Sequence, residues 1–93
     1  MTYKLRITAY HSDGVLTRIL GVAGRRSFEP VAIEAVSKNN QFNILLCIDG
    51  SRQISLLISQ LKKLVDVQDV FVVEPNEYLL EQNLSADTAL TTS

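Results

Sequence analysis

Tyr3-Lys4-Leu5-Arg6-Ile7-Thr8-Ala9-Tyr10-His11-Ser12-Asp13-Gly14-Val15-Leu16 decides the fold, because its apolar period changes in mid-course. Up to Tyr10 it alternates, with Tyr3, Leu5, Ile7 and Ala9 on one side and Lys4, Arg6, Thr8 and Tyr10 on the other, the period of a half-buried strand. Ser12-Asp13-Gly14 breaks that period. Val15, Leu16, Ile19, Leu20 and Ala23 then return at helical spacing, with Ser12 or Asp13 placed to cap the first free amides. The helix is expected to end near Gly24-Arg25-Arg26, where the cations suit the negative end of its dipole.

The strand-to-helix pattern then recurs. Phe28 to Val36 is rich in β-branched and aromatic residues, and Pro30 near its start marks an edge strand, where a missing amide proton costs least. The polar stretch Ser37-Lys38-Asn39-Asn40-Gln41 predicts a turn into a third strand, Phe42 to Asp49, in which Phe42, Ile44, Leu46 and Ile48 alternate with Asn43, Leu45 and Cys47. Asp49-Gly50-Ser51 repeats the earlier punctuation, and Ile54, Leu57, Ile58, Leu61 and Val65 mark a second amphipathic helix. Val67 to Val73 makes a fourth strand. Two βαβ units in tandem predict an α+β, ferredoxin-like βαββαβ domain: a four-stranded antiparallel sheet in the order 4-1-3-2, with two helices on one face.

With 93 residues, the chain has room for one domain and one core. The domain is assigned to residues 1–74 and a flexible acidic tail to residues 75–93, because the tail carries Glu77, Glu81 and Asp87 with no Lys or Arg. Tyr78-Leu79-Leu80 offers a short helical turn, and the Ser/Thr-rich end beyond it is expected to fray. Nine Lys+Arg against ten Asp+Glu give a formal charge of −1, so no global field favours nucleic acid or an acidic membrane. No apolar run approaches the roughly 20 residues of a membrane span, and Met1-Thr2-Tyr3-Lys4 opens without an apolar leader, so a cytoplasmic protein is expected. One cysteine, Cys47, and one histidine, His11, supply neither a disulfide nor a zinc ligand set.

No catalytic residue is assigned. His11 has no titratable partner at recognisable spacing and reads as a solvated loop residue, while Cys47 reads as a small hydrophobe on the sheet face away from the helices. Arg25-Arg26 and Lys62-Lys63 are accounted for by helix-end electrostatics. Gly14 allows backbone amides to approach a small anionic group such as an amino-acid carboxylate, although the motif taken alone favours a glycine needed only for the turn.

Gly14-Val15-Leu16-Thr17-Arg18-Ile19 resembles the first turn of the ACT domain, the small ligand-responsive module of amino-acid metabolism. Gln60-Leu61-Lys62-Lys63-Leu64-Val65-Asp66-Val67 resembles the helix-two to strand-four passage of the regulatory small subunit of acetolactate (acetohydroxyacid) synthase, and Arg26-Ser27-Phe28 the entry to strand two. The resemblance covers about residues 3–73 and, at this length, points to the short isozyme II type. It implies a regulatory chain that is not itself an enzyme, in branched-chain amino-acid biosynthesis. Its partner would be a catalytic large subunit holding thiamine diphosphate, magnesium and FAD, with no cofactor or metal on this chain. The implied effector site, for a branched-chain amino acid, lies at His11, Asp13, Gly14, Val15, Leu16 and Glu29. Valine-sensitive relatives carry Asn where a gapless alignment places Glu29, and a carboxylate there opposes that of a bound amino acid, so weak or absent valine feedback is expected.

A sheet covered on one face leaves its other face and the strand-two edge open. The edge, with Val31, Ile33 and Val36, is expected to pair with a second copy as a homodimer. Leu45, Cys47 and one of Phe71 and Val72, with Phe71 assigned, form the face for the catalytic partner, with the tail as another docking element. The alternative is a stand-alone amino-acid sensor of the same fold acting on another enzyme or a transcription factor; a small hydrolase is a third, more remote reading.

Overall fold

The computed structural model describes residues 1–73, so the predicted tail, residues 75–93, lies outside the described residues. The order is β1 (Thr2–Tyr10), α1 (Val15–Arg25), β2 (Glu29–Lys38), β3 (Gln41–Asp49), α2 (Ile54–Lys62) and β4 (Val67–Val72). The strands form one antiparallel sheet in the order β2-β3-β1-β4, the predicted ferredoxin-like topology.

Alternation in β1 and β3 sets the two faces. Leu5 lies opposite Leu46 and Ile7 opposite Ile44, and all four are sealed under Val15, Ile19, Val22 and Ala23 of α1 and Leu57 and Leu61 of α2. Burying one such aliphatic side chain contributes about 1.5–3 kcal/mol, so these facing rows provide much of the hydrophobic driving force for the fold. The opposite face carries Lys4, Arg6, Leu45 and Cys47, with Lys4 opposite Cys47 and Arg6 opposite Leu45. No residue of β2 is in the core, and all ten are exposed.

Local chemistry revises several expectations. The cap of α1 is neither Ser12 nor Asp13 but Gly14, at φ 76°, and no side chain bonds the first-turn amides. The far end of α1 closes as a Schellman motif: Ser27 takes the left-handed position (φ 66°), its amide donates to the Gly24 carbonyl at 3.0 Å, and that of Phe28 donates to Ala23 at 2.9 Å. The β2–β3 connection is tighter than the polar stretch implied. Lys38 pairs with Gln41, and both intervening residues, Asn39 (φ 54°) and Asn40 (φ 63°), are left-handed, as a two-residue type I′ turn requires. Val65 does not belong to α2. The helix ends at Lys62, and Val65, 90% exposed, lies in the turn that returns the chain to β4.

Two register shifts aim side chains that simple alternation misplaces. In β4, Asp69 pairs with Thr8 but Val67 with Ala9, leaving Gln68 as the extra residue. This shift lets Val67 and Val70 both face the core and puts Phe71, opposite Arg6, on the face opposite the helices, while Val72, opposite Leu5, faces the helices. In β2, the shift between Pro30 and Ala32 leaves Val31 unpaired.

Phe28, 2% exposed, closes one end of the core and meets Tyr3 edge to face at 6.3 Å. Gly50 makes room for it, since a Cβ there would lie 2.5 Å from Phe28 Cδ1. Gly50→Ala is therefore expected to destabilise the chain by about 1–3 kcal/mol through displacement of the ring. Urea unfolding with an unshifted midpoint would refute that role.

Candidate functional site

The turn from β1 into α1 borders an open, shallow cavity of about 230 Å³, lined by residues 11–17 and Phe42. Gly14 lets the chain reverse directly into the helix. The Val15 amide donates to the Ser12 carbonyl at 3.3 Å, and that of Arg18 to Gly14 at 2.9 Å. With glycine at the cap, no acid in the first turn and no side-chain cap, the positive end of α1 faces the cavity, whose rim also carries Asp13 just before the cap. The arrangement suits a small carboxylate.

Arg18 fixes the turn. Its guanidinium donates to the Asp13 carbonyl at 3.0 Å and to Ser12 Oγ at 3.3 Å, and forms an ion pair with Asp66, in the turn before β4. The planar fork of arginine can engage these three acceptors together, which the point charge of lysine cannot do in the same geometry. On the other wall, His11 stacks against Phe42 with ring centroids 4.4 Å apart, and its Nδ1 shares a 2.8 Å hydrogen bond with Ser37 Oγ. The His11 amide donates to the Asn40 carbonyl at 2.8 Å, which ties the cavity rim to the β2–β3 turn.

His11, Asp13, Gly14, Val15 and Leu16 therefore gather at one place, although Val15 is 1% exposed and turned into the core. Glu29 does not join them. It pairs with Asp49, whose other neighbour is Thr2 at the start of β1, whereas the cavity follows Tyr10 at the end of that strand. The nine residues of β1 separate the two ends by about 26 Å. Sequence reasoning also missed the Ser37–His11 contact, which joins residues 26 apart through the hairpin. Both residues are exposed, and no acid holds the imidazole among the described residues, so the pair orients the ring at the rim and lacks the third group of an activated nucleophile. The role of Arg18 was legible only as part of the Gly14–Ile19 pattern.

The second set of candidates lies on β2 and the uncovered face. Val31, Ile33 and Val36 are 62%, 43% and 56% exposed. Ile33 shares the helix side with Leu46, while Val36, opposite Asn43, lies on the other face. Leu45, Cys47 and Phe71 share the sheet face that no helix among the described residues covers. Phe71 is exposed, and Leu45 and Cys47 are half-buried. No helix among the described residues is long and apolar enough to cross a membrane.

The profile of the family described as ACT domain matches residues 11–70. The small subunit of acetolactate synthase isozyme 2 from Escherichia coli K12 is 33% identical over 76 residues, which cover 80% of this chain and 87% of that protein, and the Shigella flexneri protein matches equally. Among solved structures, the ACT domain of the Chlorobium tepidum GTP pyrophosphokinase superposes with a TM-score of 0.69 at 21% identity, covering 78% of this chain and 97% of that one. The Thermotoga maritima acetolactate synthase small subunit superposes with a TM-score of 0.70 at 19% identity, over 81% of this chain and 48% of that one.

If Arg18 holds the cavity turn, Arg18→Met will lower stability by about 1 kcal/mol, since the side chain is partly solvated. Amide exchange should quicken at residues 13–16, and a double-mutant cycle with Asp66→Asn should show coupling. Unchanged exchange in that turn would assign the contacts to passive surface chemistry.

Proposed function

This chain belongs to the ACT-domain family, and we propose that it is a non-catalytic regulatory subunit of acetolactate synthase, stabilising the active form of a thiamine-dependent large subunit in branched-chain amino-acid biosynthesis. The observation that carries the reading is the 33% identity to isozyme 2 small subunits across 87% of their length, which leaves little of those relatives unmatched. On this reading thiamine diphosphate, magnesium and FAD reside on the large subunit, and this chain acts through binding energy that shifts its partner's conformational equilibrium.

The open edge gives the reading a geometry. Two copies joined antiparallel along β2, about a two-fold axis near Ile33, would extend the sheet and cover Val31, Ile33 and Val36. Such pairing also sets the partner subunit's Glu29 near Ser37 and His11, at the mouth of the Gly14 cavity. The separation of Glu29 from Gly14 within one chain is then removed between chains, and a branched-chain amino acid would sit with its carboxylate toward the amides of α1. The carboxylate of the partner's Glu29 opposes that ligand, and this supports weak valine feedback. Leu45, Cys47 and Phe71 remain on the sheet face for the catalytic subunit.

Mixing the full chain with an acetolactate synthase large subunit is expected to raise acetolactate formation and to leave it little affected by valine. Glu29→Asn should strengthen valine binding by at least about tenfold in calorimetric titration, the gain expected from removing one like-charge contact. A large subunit indifferent to the chain would overturn the regulatory role. Micromolar valine binding by the unaltered chain would overturn the reading of Glu29.

A further inference from the structure

A second concavity, of about 270 Å³, lies between the C-terminal end of α1 and the N-terminal end of α2, away from the Gly14 cavity. Arg25, Arg26 and Arg52 line it, with Gln53, Gln60 and the exposed Leu56. None of the three guanidinium groups has a hydrogen-bond or ion-pair partner among the described residues. The carboxylates near this end of the sheet do not neutralise them: Asp49 is engaged by the Met1 ammonium at 3.1 Å, and Glu29 does not line the cavity.

Helix-end electrostatics account for only part of this cluster. Arg25 and Arg26 close α1, where cations are favoured, but Arg52 stands just before α2, where the helix dipole disfavours a cation. The first turn of α2 has no acid, and its cap residue, Gln53, makes no side-chain bond to the amides. Three unpaired positive charges thus border one hollow that the start of α2 also faces, with the Arg25 guanidinium lying back along α1 beside Gly21. A bound polyanion would engage the guanidinium forks and the helix amides together.

We propose that this hollow is an oligophosphate site, seating a diphosphate or triphosphate group between Arg25, Arg26 and Arg52 with its oxygens toward the amides that open α2. A single carboxylate matches one guanidinium. A diphosphate, with several negative oxygens on a compact frame, matches three. The site is independent of the amino-acid cavity and of the regulatory assignment.

The test is a nitrogen-15 NMR titration of the full chain at low ionic strength with inorganic pyrophosphate, with ADP and citrate in parallel. Pyrophosphate is expected to give saturable shifts at residues 51–56 and at the arginine Nε signals, with affinity falling as salt rises. Arg52→Gln and Arg26→Gln should each weaken it by about tenfold or more, the loss of one charge-assisted contact, and Arg52→Gln should do so without lowering the melting temperature, since the dipole of α2 disfavours a cation there. Tighter binding of ADP would identify a nucleotide as the source of the phosphate chemistry, and equal binding the inorganic group; both uphold the site. No saturation at millimolar pyrophosphate, citrate binding as tightly, or wild-type affinity in Arg52→Gln would overturn it.

Discussion

The two helices bury their apolar faces against β1, β3 and β4, and every residue of β2 stays exposed. That imbalance shapes the rest of the molecule. β2 is hydrogen-bonded to β3 on one side only, contributes nothing to the core, and still carries Val31, Ile33 and Val36 at high exposure. Exposed edge strands commonly carry charge, bulges or a covering element. Here the bulge at Val31 and Pro30 sit at one end and Lys38 at the other, and Glu34 is the one charge in the stretch between them. A second polypeptide along this edge is the simplest completion of the sheet.

The ends of the sheet then acquire different chemistry. At one end, Gly14 exposes the start of α1, Arg18 ties that turn to Asp66, and His11 is held by Phe42 and Ser37. At the other, Phe28 closes the core above Gly50, and three arginines line the hollow between the end of α1 and the start of α2. Both ends are positive helix termini without side-chain caps. They differ in the charge around them: a compact turn with one internally satisfied arginine suits a small carboxylate, and three unsatisfied arginines suit a larger anion.

The alternation of β1 and β3 and the helical spacing after Gly14 made the topology legible, because each has a single period and a single buried face. Register shifts were not legible. The one at Gln68 inverts the faces on either side of it, so nothing in Val67-Gln68-Asp69-Val70-Phe71-Val72 distinguishes Phe71 from Val72 until the pairing with β1 is known. The capping expectation failed because Ser12 and Asp13 have the usual capping chemistry, but the left-handed backbone at Gly14 moves the helix start beyond them. Val65 fits the helical period but lies in the turn after α2, where the chain must reverse to meet β1. The site residues on the first turn were readable because they are contiguous. Glu29 and Ser37 were not, since their positions depend on which end of β2 each occupies.

Amide hydrogen exchange along β2, followed on the full chain from dilute to concentrated solution beside sedimentation, tests the edge-pairing claim most directly. In an antiparallel sheet alternate amides of an edge strand point away from its only neighbour. The account predicts that those outward amides between Val31 and Val36 become protected as the sedimenting mass doubles, while the inward ones are protected throughout. Outward amides that exchange freely at every concentration, with a mass that stays that of one chain, would contradict it.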